Sequence, residues 1–198
     1  DRLAEADAYL AEGLRMGEKS GVVDVLVNGY VCLSLLRWAQ GDRKAAVEAF
    51  NLASELSISS PGSIWGSQVA TERRWLQLMV SDAPDLAVLI DREENGLISD
   101  LPQPKYIRIG DQLVTVRALI ASSRWQEALA IVQSLETECR SAGLIRMLVE
   151  ALLLKAITYQ AIGDPNQALS EMASALRTAA PDRFVRVFVD GGEAVKRL

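Results

Sequence analysis

Residues 41–53 read Gly41-Asp42-Arg43-Lys44-Ala45-Ala46-Val47-Glu48-Ala49-Phe50-Asn51-Leu52-Ala53. A glycine here ends one helix, because a residue without a Cβ takes left-handed backbone angles at little cost. The aspartate beside it caps the helix that follows. Ala46 is small enough for two helices to approach closely, and Phe50 follows one turn later on the same face. The stretch is therefore the bend of a helical hairpin. Three more bends share its form: Ser81-Asp82-Ala83-Pro84-Asp85-Leu86, Ser123-Arg124-Trp125-Gln126-Glu127-Ala128 and Gly163-Asp164-Pro165-Asn166-Gln167-Ala168. Pro165 sits in a first helical turn, where its missing N–H is not needed. The sixth positions are 46, 86, 128 and 168, so the steps are 40, 42 and 40. A fixed step of this size marks a helical-repeat architecture. Stepping back 40 residues from Ala46 reaches Ala6, and Leu10, Phe50, Ile90, Val132 and Met172 then occupy one apolar register position.

The expected fold is all-α: a right-handed superhelix of antiparallel helix pairs with repeats of about 40 residues and an extended C-terminal tail. First helices are expected over 23–40, 63–80, 104–121 and 143–162. Second helices are expected over 2–18, 43–56, 83–93, 125–140 and 165–179. The chain then forms one solenoid domain, with a half repeat at 1–20, repeats at 21–60, 61–102, 103–141 and 142–180, and a tail at 181–198. It opens in the second helix of a pair, as a piece excised from a longer protein would. Asn28-Gly29 resembles a hairpin turn in isolation, but the repeat register places it in a helix. Arg183-Phe184-Val185-Arg186-Val187-Phe188-Val189-Asp190 alternates and favours a strand. With no partner strand apparent, it is expected to lie extended along the last helix pair. Gly191-Gly192 ends it, and a helix begins at Glu193.

Composition removes several functions. Of 198 residues, 49% are hydrophobic and 24% charged, which is globular. The net charge of −5 disfavours nucleic-acid binding by this chain itself. There is no histidine, which excludes Ser-His-Asp and Cys-His catalysis and histidine-ligated zinc. Cys32 and Cys139 lie far apart in apolar helical contexts and read as reduced cytosolic thiols. No targeting segment is visible at the start. The most apolar window, 147–162, is interrupted by Glu150 and Lys155 and reads as a buried helix, not a membrane span. No phosphate-binding G-x-x-x-x-G-K-[ST] occurs, and Gly191-Gly192-Glu193-Ala194-Val195-Lys196 lacks its spacing. Asp91, Glu93, Asn95 and Gly96 start like a calcium loop, but Pro102 stands where the bidentate glutamate belongs. That stretch reads as a solvated helix end. No cofactor and no metal are expected, nor is enzymatic activity.

The register resembles the tetratricopeptide repeat. Gly41, Ala46, Phe50 and Ala53 match its Gly, Ala, aromatic and Ala, and Gly163, Ala168, Met172 and Ala175 match with Met for the ring. The Ser123 unit keeps Ala128, with Val132 and Leu135 apolar. The tail from Ala175 to Gly192 is similar to the A-L-x-L-A-x-P-x-G-Y-V-R-V-F-V-D-E-G stretch of MalT-like, LuxR-family transcriptional regulators. It departs at Arg183-Phe184, where that stretch has G-Y, and at Gly192. The resemblance implies a sensor and relay domain. In such regulators the superhelix receives a small-molecule inducer or a partner protein and signals to an ATP-binding module and a helix-turn-helix domain. DNA would then be reached only through a domain absent from this chain, and no membrane is involved.

Solenoids bind on the face built from first helices. The tetratricopeptide register places Asn28, Trp38, Gln68, Trp75, Arg117, Glu150 and Gln160 there. Two indole rings for stacking, with amides and a guanidinium for orientation, suit a sugar, another polar metabolite or a peptide. The alternative for Trp38 and Trp75 is packing between repeats. Arg37, Arg73 and Arg74 form a basic set that reads as a solvated face or as a contact for an acidic partner. The rival function is a generic tetratricopeptide scaffold for a protein or peptide. A bare apolar face on the opening half repeat also leaves room for a homodimer.

Overall fold

The computed structural model describes residues 2–58, 65–80 and 104–198. Among them it has no strand and ten helices: α1 (Leu3–Ser20), α2 (Val23–Ala39), α3 (Arg43–Ile58), α4 (Trp65–Val80), α5 (Lys105–Ala121), α6 (Trp125–Ala142), α7 (Ile145–Ile162), α8 (Pro165–Ala179), α9 (Val185–Asp190) and α10 (Gly192–Lys196). The first eight fall where the repeat register expects them, and Asn28-Gly29 lies inside α2. The expected helix over 83–93, the bend at 81–86, Ile90 and the acidic stretch 91–96 lie outside the described residues.

One bend geometry recurs three times. Gly41, Ser123 and Gly163 hold left-handed angles, with φ of 85°, 60° and 91°. The next amide reaches back to the carbonyl five residues earlier: Asp42 to Arg37 at 3.0 Å, Arg124 to Leu119 at 2.9 Å and Asp164 to Tyr159 at 3.0 Å. This closes the preceding helix by satisfying carbonyls that have no partner within it. The Asp42 and Asp164 carboxylates then accept from the Ala45 and Gln167 amides, both at 3.0 Å, and cap α3 and α8. Ala46, Ala128 and Ala168 are fully buried, with Phe50, Val132 and Met172 buried one turn on. Ala6 is exposed and Leu10 half-buried.

The chain divides into two compact units, with α1–α4 in the first and α5–α10 in the second. In the first, α2 packs on α1, α3 and α4, around Val27, Val31, Phe50, Ala53, Val69 and Leu76. Gly29 explains the misleading turn signal: a Cβ there would stand 2.6 Å from Leu14 Cδ2. It is a site of close helix approach. In the second unit, α7 packs on α5, α6, α8, α9 and α10. That is why α7 buries Leu148, Val149, Ala151, Leu152, Leu153, Leu154 and Ala156, with no clean apolar face.

The extended tail is not formed, and this corrects the sequence expectation. Arg183 turns with φ 55°, and the Phe184 amide bonds the Ala179 carbonyl at 3.2 Å. The same bend occurs 40 residues earlier, with φ 67° at Gly143 and Leu144 bonding Cys139 at 3.0 Å. Residues 185–190 therefore enter α9 in the place of another first helix. Val187 is buried, and Phe184 and Phe188 pack on the apolar cluster of α7 and α8. Without a partner strand, β propensity has no ladder to act through, so helical hydrogen bonding prevails. The helix expected from Glu193 is present as α10.

Candidate functional site

The expected binding residues come together in two pairs, one in each unit. Trp38 on α2 meets Trp75 on α4 edge to face, with centroids 5.5 Å apart and planes at 75°. Both rings pack on the core of the first unit and are half-buried. The Arg43 guanidinium lies over Trp38, 5.5 Å from the ring centroid. The pair thus joins two first helices and keeps an accessible surface.

Asn28 and Gln68 lie on the same two helices. Asn28 is half-buried, and its Oδ1 accepts from the Cys32 thiol at 3.9 Å. It lines an open cleft of about 290 Å³ with Gly13, Asp24, Val25 and Gly29. Two of its five lining residues are glycines, and at Gly29 the Leu14 side chain fills the room a Cβ would need. Gln68 Oε1 is buried without a hydrogen-bond partner, as is Ser34 Oγ on α2. Such atoms normally carry a water or another polar group.

In the second unit, Arg117 on α5 pairs with Glu150 on α7 at 3.0 Å, and each side chain is only 12% exposed. Arg146 approaches the same carboxylate at 3.6 Å. The guanidinium and carboxylate neutralise each other across two neighbouring first helices. Gln160 stands exposed near the end of α7.

A polar cluster of the second unit escaped the residue-by-residue reading. Lys155 on α7 bonds Glu136 on α6 at 2.7 Å and Glu171 on α8 at 2.8 Å, while Arg140 also holds Glu136 at 3.0 Å. Burial opposes the charge on Glu136, but hydrogen bonds from Lys155 and Arg140 outweigh it and hold the carboxyl below its usual range. Burial likewise opposes the charge on Lys155, and hydrogen bonds from Glu136 and Glu171 outweigh it and raise the ammonium. A signal existed: Glu150 and Lys155 are the charges inside the apolar window 147–162, and a charge in a buried helix needs a partner.

The basic set is engaged internally. Arg37 holds Asp7 of α1 through two bonds of 2.8 and 3.0 Å. Arg73 donates to Ser54 Oγ and lies 6.0 Å over the Phe50 ring, and Arg74 is buried. Among the described residues, no group of three or more acidic or thiol side chains is placed to hold a metal ion. No helix among them is long and apolar enough to cross a membrane.

Recurring bends, fully buried alanines and contacts between successive first helices define a tetratricopeptide-like helical-repeat domain, of the kind that serves sensing and protein interaction. The chain belongs to the MalT-like TPR region family, whose model matches residues 1–198. No curated protein and no solved structure matches it.

Proposed function

We propose that this chain is the regulatory superhelix of a LuxR-family transcriptional regulator. It receives a small-molecule inducer or a partner protein in the cytoplasm. It relays that event to ATP-binding and helix-turn-helix domains carried outside the chain. It contributes no catalysis and needs no cofactor. The observation that carries this reading is the family match over residues 1–198, together with the tail 183–192 directly after a repeat helix. Asn28, at the cleft between α1 and α2, the Trp38–Trp75 pair and the unpartnered Gln68 oxygen on α4 are the first contacts proposed for an inducer. Arg117, Glu150 and Gln160 form the corresponding set in the second unit.

A thermal-shift screen against sugars, amino acids and other small metabolites tests it. A ligand at about 100 times its dissociation constant adds ~2.7 kcal/mol, a rise of roughly 5–10 °C at this size. Such a rise from one metabolite class, reduced by Asn28→Ala or Trp75→Ala, is expected. No rise from any class would overturn the inducer reading.

A second reading, a scaffold for a protein or peptide, is favoured by the closure of the polar pairs. Trp38 and Trp75 already satisfy each other, and Arg117 is neutralised by Glu150. Association of two copies through α1, where Tyr9 is 78% and Met16 60% exposed, belongs to this reading. Sedimentation at rising concentration checks it, and a monomer throughout would count against it.

A further inference from the structure

We infer that the second unit binds a small oxyanion, the carboxylate or phosphate group of a metabolite, between Arg117 of α5 and Arg146 of α7. The inference rests on the inducer reading proposed above and names the chemical class of the inducer. It starts from one carboxylate, Glu150, that faces two guanidiniums.

Arg117 directs both Nε and Nη2 at a single oxygen, Glu150 Oε1, at 3.3 and 3.0 Å. A guanidinium fork more often divides its two bonds between both carboxylate oxygens. Here Oε2 is left to Arg146, whose Nη1 stands 3.6 Å away, too far for a hydrogen bond. Two cations thus share one anion, and a positive charge is left over. Lys155, as deeply buried as Arg117, shows the opposite balance, with Glu136 and Glu171 both on one ammonium.

Donors are left over as well as charge. Neither Arg117 Nη1 nor the Arg146 guanidinium donates a hydrogen bond. Among the described residues, the side-chain polar atoms buried without a partner are Ser34 Oγ and Gln68 Oε1. Arg117 Nη1 is not among them, so it reaches solvent although its side chain is only 12% exposed. Arg146 is 59% exposed. An open edge of one guanidinium and the fork of another therefore face solvent from two neighbouring first helices.

The size and chemistry of the occupant follow. Both guanidiniums reach the same carboxylate, so the gap between them admits one oxyanion group and not a row of charges. A planar fork of N–H donors matches a carboxylate or phosphate, and only an anion neutralises the charge left over. Gln160 lies ten residues beyond Glu150 on the same helix, about 15 Å further along the axis, so it does not share that group. Arg146, one turn before Glu150, takes its place; the groove register starts at Glu150 and passes over it. An oxyanion seated there joins α5 to α7, and so fixes the offset between two successive first helices.

Thermal-shift titration of the full chain with malonate, citrate and inorganic phosphate tests this, against sodium chloride at equal ionic strength. A saturable rise beyond that of chloride is expected, and the three probes separate carboxylate from phosphate. Arg146→Gln should weaken the response about tenfold or more. Arg146 is exposed, so circular dichroism of that variant should match the parent. Glu150→Gln removes the competing carboxylate and leaves Arg117 uncompensated, so it should lower the melting temperature and respond to the anion more strongly than the parent. No rise above chloride in the parent and in Glu150→Gln, or a rise indifferent to Arg146→Gln, would overturn the proposal. So would a response to a triglutamate peptide with none to the free anions, since the site would then serve a protein partner. A shift from an uncharged metabolite that survives Arg146→Gln, with no response to the anions, would sink this proposal and leave the inducer reading standing.

Discussion

Ser123 and Arg183 hold the left-handed angles that Gly41, Gly143 and Gly163 hold at the equivalent bends. A residue with a Cβ is strained there by roughly 1–2 kcal/mol, while glycine costs ~0.5–1 kcal/mol through the unfolded chain. Ser123→Gly and Arg183→Gly should therefore each stabilise the protein by about 0.5–1 kcal/mol, with nearly additive effects. Urea unfolding of both variants checks this, and an unchanged or lower midpoint would mean the bend is not strained. The G-Y of the family tail, where this chain has Arg183-Phe184, has the same explanation: the bend favours glycine. At this scale the cysteines also separate. Burial pushes the Cys139 thiol up to about 11, and the carboxylates of Glu138 and Glu150 add to the effect. Cys32 is exposed, although desolvation and the Glu72 carboxylate raise its thiol as well. A chromogenic disulfide reagent at pH 8 should titrate one thiol in the folded protein and two after unfolding. Two fast thiols in the folded state would contradict the packing of α6 on α7.

At the scale of elements, α7 is held to both neighbours by one lysine. Glu136 lies below its usual range, so its pairing stabilises the fold above the ordinary glutamate pKa and is lost as pH falls through the lowered value. Lys155 is raised, so its pairing is complete below the ordinary lysine pKa and is lost as pH rises through the raised one. Between roughly pH 5 and 10 the cluster contributes in full. Removing one member of a buried pair costs ~3–5 kcal/mol, and the residual exposure of 12–18% here lowers that to about 2–4. Lys155→Met should cost that much at pH 7 and flatten the acid limb of the stability profile. A loss of equal size at pH 3 and pH 7 would assign the effect to packing alone. The tail belongs to the same scale. Residues 183–190 alternate as a strand does, and local periodicity could not say otherwise. The deciding fact is a bend shared with Gly143 at the repeat distance, legible only if the register is carried past the last helix pair.

For the whole molecule, the register was readable because the bends repeat a small and a left-handed residue at fixed offsets, with a capping aspartate at two of them. Those requirements act within a few residues. The site depends on which helix lies beside which. Trp38 and Trp75 are 37 residues apart and Arg117 and Glu150 are 33 apart, neither of them the 40-residue step. Their place on first helices was legible; their pairing and their degree of burial were not, because both follow from the offset between successive first helices. The same organisation predicts how damage spreads. The inter-helix contacts described join near neighbours within one unit, so stability should be a sum of local terms and not a single global property. Leu152 is fully buried in the core built by α5, α6 and α7. Leu152→Ala should cost about 2–5 kcal/mol where it acts. Its effect on amide hydrogen exchange should be greatest in α5–α8, with the protection of α2 and α3 little changed. An equal loss of protection in α2 and α3 would show that the two units unfold as one, and the additive picture would have to be given up.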